Sequence, residues 1–207
     1  MPRGHHPRKE AAWPEFYRAT AGGSPWNTLT KAISFFEAEP SSGKGRFAVD
    51  LGCGAGQDTF ELLRRGWRVL AVDNNPEALR FVRSNTLPKY KIRLKTRLAS
   101  FESLILPRCD LINASNSLPF CRPERFDAFW RRITGSLRHG GRLAGHFFGA
   151  HDEWARSTNL TFHSTLKVKA LLSPFITEFF EEKEWNGTTA SGQRKHWHVF
   201  SVVARKR

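Results

Sequence analysis

A chain of 207 residues, 40% hydrophobic and 25% charged, is ordinary for one globular domain able to bury a good core. Thirty-three Lys and Arg against 19 Asp and Glu give a net charge of +14, which suits nucleic acid or another anionic partner and equally a well-solvated surface. Cys53, Cys109 and Cys121 lack Cys-x-x-Cys spacing, no long apolar run exists, and the basic residues 1–9 precede no apolar core; a disulfide framework, a membrane span and a signal peptide are argued against, and a cytoplasmic chain is expected.

In chain order, residues 1–9 read as a mobile start and residues 10–20 as a helix carrying Trp13, Phe16 and Tyr17. After a break at 21–25, residues 27–36 read as a second helix, capped by Asn27, with Leu29, Ile33 and Phe36 on one face. Residues 41–45 read as a loop. From residue 46 strands and helices alternate: strand 46–50, helix 57–65, strand 67–72, helix 76–86 opened by Pro76, and strand 90–98. Strand 110–113, helix 123–138, strand 142–148 and helix 165–172 follow. Residues 176–185 and 197–204 then read as a hairpin. The pattern predicts an α/β domain with a parallel sheet, helices on both faces and an antiparallel last strand.

The most informative stretch is the turn between the first strand and its helix. Gly52, Gly54 and Gly56 remove side chains that would hold a ligand off the backbone, and they permit positive φ. The turn offers backbone N–H groups at a helix start. Asp73 ends the second strand 21 residues after Gly52, where a carboxylate can take two ribose hydroxyls. Ligands of such sheets bind at the carboxyl ends of the strands, which also brings Asn74, Asn113 and Ser115 to the site.

Asp50-Leu51-Gly52-Cys53-Gly54-Ala55-Gly56 resembles the first motif of class I S-adenosylmethionine (SAM) methyltransferases. Residues 113–120, Thr161-Phe162-His163 and residues 195–200 resemble later motifs of tellurite-resistance-type (TehB-like) methyltransferases. The resemblance implies a Rossmann-like seven-stranded sheet of order 3-2-1-4-5-7-6. It implies one domain over 1–207, with an N-terminal helical cover at 10–40 and the core at 45–207. It also implies SAM as cofactor and S-adenosylhomocysteine as product. The cofactor candidates are Asp50, Gly52, Cys53, Gly54, Gly56, Asp58, Asp73, Asn74, Asn113 and Ser115, with Ser100 and Phe101 at the adenine. Arg18 is either a partner for the methionine carboxylate or a surface arginine.

The same topology gathers histidines at the ligand end. His163 and His196 are the candidate catalytic bases, and Asn116, Phe120, Phe148, His151, Trp154 and His198 the candidate substrate pocket. Each histidine has a packed, structural alternative. No metal site is expected, since the histidines lack helical i, i+4 spacing and a cysteine pair. Residues 89–98 carry Lys89, Lys91, Arg93, Lys95 and Arg97 on one face of an expected edge strand, a placement that discourages edge pairing. Asn116-Ser117-Leu118-Pro119-Phe120 departs from the Asn-Pro-Pro-aromatic loop of amino-group methyltransferases. The reading is therefore a methyltransferase for a small molecule. The alternatives are an RNA or DNA methyltransferase and a SAM-binding protein without transfer. Oligomeric state is left open.

Overall fold

The computed structural model describes residues 17, 20–39, 45–190 and 192–207. The expected mobile start, most of the first expected helix, Arg18 and most of the 41–45 loop lie outside them.

Helix α1 (Asn27–Glu37) buries Leu29, Ala32, Ile33 and Phe36, spaced three and four apart, against Ala48, Leu111, Ala144 and Val203 of the sheet. Asn27 is its first helical residue, not its cap; the preceding Trp26 has extended backbone and donates its N–H to Asp58 Oδ1 at 2.9 Å. Strand β1 (Phe47–Leu51) leads into α2 (Gln57–Arg64), β2 (Arg68–Asp73) and α3 (Pro76–Asn85). Asn75 caps α3 by accepting from Glu77 N–H at 2.9 Å. Then come β3 (Leu94–Leu98), β4 (Cys109–Ala114), α4 (Pro123–Ser136), β5 (Leu137–Gly149), β6 (Phe162–His163), α5 (Thr165–Leu171), β7 (Phe175–Thr188) and β8 (Arg194–Lys206).

The sheet runs β3-β2-β1-β4-β5-β8-β7, with the two-residue β6 pairing beside β5. β1 to β5 are parallel, and β8 is antiparallel to both β5 and β7. Apart from the numbering shift caused by β6, this is the expected order. β1, β2 and β4 are buried almost throughout because helices cover both faces, which is why they read as continuous apolar runs.

The expected strand at 90–98 is half right. Pro88 has no N–H and a fixed φ, and it opens a 3₁₀ turn over Pro88–Arg93, so pairing with β2 starts at Leu94. Lys89, Lys91 and Arg93 therefore do not share a strand face with Lys95 and Arg97, although β3 is a sheet edge as expected.

The β7–β8 hairpin overhangs the carboxyl end of the sheet. β8 pairs with β5 only as far as Val199 opposite Phe148; residues 194–198 pair with β7 alone. Cross-strand partners share a face. The pairs Glu181–Ser201, Lys183–Val199 and Trp185–Trp197 turn one way, and Glu182–Phe200, Glu184–His198 and Asn186–His196 turn the other.

Candidate cofactor and substrate site

A cavity of about 1370 Å³ lies at the carboxyl ends of the strands and runs under the overhanging hairpin. Its inner end is the glycine turn. Gly52 and Cys53 both donate N–H bonds to Val72 O, at 2.8 and 3.0 Å, which hooks the turn over β2. Gly52 has φ +67°, and a Cβ there would lie 2.6 Å from Ser117 Cβ and 3.7 Å from the Phe101 ring. At Gly56, φ +83°, a Cβ would meet Phe60 and Val82 at 2.9 Å. Only glycine leaves this cradle open.

Carboxylates surround the turn. Asp73 Oδ2 accepts from Gly54 N–H at 3.0 Å and Oδ1 from Asn75 N–H at 2.9 Å; the Tyr17 hydroxyl also bonds to this carboxylate. Asp50 accepts from Thr59 Oγ1 at 2.5 Å, and Asn113 Nδ2 reaches Asp50 Oδ1 at 2.9 Å and Asp58 Oδ2 at 2.8 Å. Ser115 Oγ donates in turn to Asn113 Oδ1 at 3.2 Å. Burial, then the neighbouring Asp58 charge, pushes Asp50 up to about 7. Burial raises Asp58 and Asp73 as well. Buried carboxylates that have no ion-pair partner among the described residues are suited to a cationic ligand rich in hydroxyl and ammonium donors, and this set fits SAM.

The outer end is aromatic. Trp197 packs against Phe148 (5.8 Å between centroids), Trp154 (5.5 Å) and Trp185 (6.0 Å, near-parallel). Behind them the buried Lys195 Nζ lies 3.4 Å from the Trp197 ring centroid and 4.3 Å from that of Trp154, and pairs with Asp152 Oδ2 at 2.5 Å. Burial lowers the Lys195 pKa against the pull of Asp152.

Of the expected residues, Asp50, Gly52, Cys53, Gly54, Asp58, Asp73, Asn74, Ser100, Phe101 and Ser115 line the cavity, as do Asn116, Phe120, Phe148 and Trp154. Gly56 and Asn113 stand behind the wall and shape it. The histidines are placed otherwise. His151, His163, His196 and His198 are not among the lining residues. His196 and His198 are on the hairpin face turned away from the cavity. His163 is buried between Phe126 (4.6 Å) and Phe147 (5.7 Å), its Nε2 has no hydrogen-bond partner, and burial pushes it down to about 4.

Among the described residues the histidine that lines the cavity is His146, which the sequence reading missed. It lies two residues before Phe148 on β5, so the period of two that placed Phe148 at the site also placed His146 there. Its Nδ1 accepts from Asn116 N–H at 3.1 Å, and its ring meets Trp26 edge-on at 5.5 Å. Asn116 has φ +50°, a conformation asparagine tolerates better than most residues. Burial pushes His146 down to about 4, so the ring is neutral at pH 7.

The turn and the sheet order are those of a Rossmann-like methyltransferase fold. Residues 48–141 match the family described as "Methyltransferase domain". A stretch of 65 residues is 42% identical to the "Probable cobalt-precorrin-6B C(15)-methyltransferase (decarboxylating)" of Methanothermobacter thermautotrophicus, covering 31% of this chain and 33% of that protein. TehB from Haemophilus influenzae superposes with a TM-score of 0.70 at 17% identity, over 86% of this chain and 62% of that one. The Burkholderia thailandensis 1,6-didemethyltoxoflavin-N1-methyltransferase, solved with 1,6-didemethyltoxoflavin and S-adenosylhomocysteine, gives 0.62 at 19% identity over 100% and 92% of the chains. Magnesium protoporphyrin IX methyltransferase (ChlM) from Synechocystis, solved with bound SAM, gives 0.67 at 13% identity over 96% and 92%. These superpositions establish the fold. The chain spans about a third of the curated relative and less than two thirds of TehB.

Proposed function

We propose that this chain transfers a methyl group from SAM to a small molecule held against the aromatic wall. One observation carries the proposal: the glycine turn with Asp73 and the Phe148–Trp154–Trp185–Trp197 wall line a single continuous cavity. Its volume of about 1370 Å³ exceeds the roughly 300–1000 Å³ of a one-ligand pocket, which leaves room for cofactor and acceptor together.

SAM supplies a methyl group already activated on a sulfonium, so the protein has to orient and desolvate. Asp73 takes the ribose hydroxyls, Phe101 packs the adenine, and Asp50 with Asp58 faces the charged methionine end. The tryptophans exclude water from the acceptor. His146 has its Nδ1 committed to Asn116 N–H, so the neutral ring carries its proton on Nε2. In that tautomer it donates a hydrogen bond and does not take a proton. The site therefore suits acceptors that need no strong base, such as an amine, a thiolate or an oxyanion.

The cavity rim supports a small molecule over nucleic acid. Arg122, Arg125, Arg132 and Lys183 line the cavity together with Glu102, Glu124 and Glu181, and Glu124 and Glu181 pair with Arg122 and Lys183, where a phosphate backbone would need a continuous basic groove. Among the described residues no helix is long and apolar enough to cross a membrane.

Calorimetric titration of ligand-stripped protein with SAM and S-adenosylhomocysteine tests the cofactor. Both should bind, and Asp73→Ala should weaken both by about tenfold or more through the lost charged hydrogen bonds. Binding of neither would overturn the proposal. A screen of planar amines, thiols and oxyanions, read by S-adenosylhomocysteine release, then identifies the acceptor.

A further inference from the structure

On the hairpin face opposite the cavity, three side chains bring metal-ligating atoms together. His151 Nδ1 lies 2.9 Å from Glu184 Oε1, and His198 Nδ1 lies 3.8 Å from the same oxygen. One donor atom from each of the three falls within 4.8 Å of the others. We propose that His151, Glu184 and His198 form a binding site for a divalent transition metal, with Zn²⁺ as the reference ion.

The donor chemistry is right. Two imidazole nitrogens and a carboxylate oxygen, completed by water, are a set Zn²⁺ accepts at bond lengths near 2.0–2.2 Å. Ligand atoms around a tetrahedral ion of that size are about 3.4 Å apart, so the observed spacings close on an ion by side-chain shifts of about an ångström. Helical spacing is absent, and strand pairing takes its place: Glu184 and His198 are directly opposed on β7 and β8, and the loop after β5 brings His151 over them.

The surroundings orient the ligands. Glu182 Oε1 lies 3.0 Å from His198 Nε2. A proton on His198 Nε2 would donate to that carboxylate and leave Nδ1 as the ring's acceptor atom, the carboxylate–histidine arrangement that supports metal ligands. Gly149 makes room for the ring, since a Cβ there would lie 2.1 Å from His198 Nδ1. The His151 ring stacks on that of His198 at 5.0 Å. His196 Nε2 lies 3.3 Å from the second oxygen of Glu184. One contact must yield: His151 N–H donates to His198 Nδ1 at 3.2 Å, and an ion takes over that lone pair. His151 and Glu184 are exposed, so an ion has access.

An ion there ties the 150–156 loop to the hairpin. That loop also carries Asp152, which holds Lys195, and Trp154 of the cavity wall. The expected consequence is a firmer aromatic wall and a higher melting temperature, since a ligand that binds only the folded chain stabilises it.

The test uses the full chain stripped with a chelator, titrated with Zn²⁺ by calorimetry and with Co²⁺ by visible absorption. One equivalent of Zn²⁺ should bind and raise the melting temperature. His151→Ala and Glu184→Gln should each weaken binding by about tenfold or more, and the double variant should lose the thermal shift. Both side chains are exposed, and SAM titration of each variant checks that it is folded. The proposal is overturned if the wild-type chain takes up no stoichiometric Zn²⁺, or if the double variant binds it unchanged, which would place the ion on other histidines.

Discussion

Gly52 and Ser117 are in mutual contact range across the glycine turn: a Cβ built on Gly52 would lie 2.6 Å from Ser117 Cβ, well inside any real carbon–carbon contact. Gly52 also has φ +67°, where a non-glycine residue costs about 1–3 kcal/mol. Gly52→Ala carries both penalties. It should lower SAM affinity by about tenfold or more and reduce the melting temperature by several degrees. Adding Ser117→Gly should recover the steric part and leave the backbone part, so the double variant should fall between Gly52→Ala and wild type. Equal affinity in the single and double variants would show that the two residues do not meet.

The glycine turn and the strand order were legible because they depend on local pattern: a glycine spacing, an apolar run, a carboxylate at a strand end. The histidines were not, and the reason is phase. That His196 and His198 share a strand face follows from their spacing. Which face that is depends on the pairing of Trp185 with Trp197 and Glu184 with His198, a relation between two strands that neither strand contains. A slip of one residue would have put both histidines in the cavity. The 3₁₀ turn at Pro88–Arg93 was missed for a different reason, since its alternating basic residues imitate a strand face and only Pro88 signals otherwise.

His163 should oppose stability in acid. Its folded value of about 4 lies below the ordinary value near 6.5, so the unfolded chain binds more protons between these limits, and stability is lost as pH falls through that window. His163→Phe removes the effect and fits the pocket between Phe126 and Phe147. The variant should match wild type near neutrality and exceed it by about 1–2 kcal/mol near pH 5. Asp50, raised to about 7, works with the opposite sign: the cofactor-free chain loses stability as pH rises toward 7, and Asp50→Asn should gain on wild type over that range. Urea titrations at several pH values give both curves, and a constant gap between His163→Phe and wild type would remove His163 from the acid response.

His146 should act through hydrogen-bond donation to the acceptor. His146→Phe keeps the volume and the edge contact with Trp26 but loses the donor; turnover should fall by about tenfold or more with SAM affinity little changed. His146→Gln retains an N–H donor and should restore part of the rate. With the ring neutral down to about pH 4, the wild-type kcat/KM profile should show no limb from His146 around neutral pH. Equal rates in the Phe and Gln variants would return His146 to a packing role.

The Lys195–Asp152 pair sits behind the aromatic wall, with 1% and 0% of the two side chains exposed. Asp152 also accepts from Trp154 N–H at 3.0 Å and from His198 N–H at 3.3 Å, so it fixes the loop and the hairpin to each other. Lys195→Met fills the space under the three rings and leaves Asp152 as a buried charge without its cation. Breaking such a pair from one side costs about 3–5 kcal/mol. Lys195→Met with Asp152→Asn removes the charge and keeps an oxygen for one of the backbone N–H groups, so it should lose less than Lys195→Met alone. Chemical denaturation followed by tryptophan emission reads both variants, because Trp154 and Trp197 flank the lysine. If the double variant is no more stable than the single one, the cost lies in lost packing of the lysine stem against the rings and not in the unpaired carboxylate.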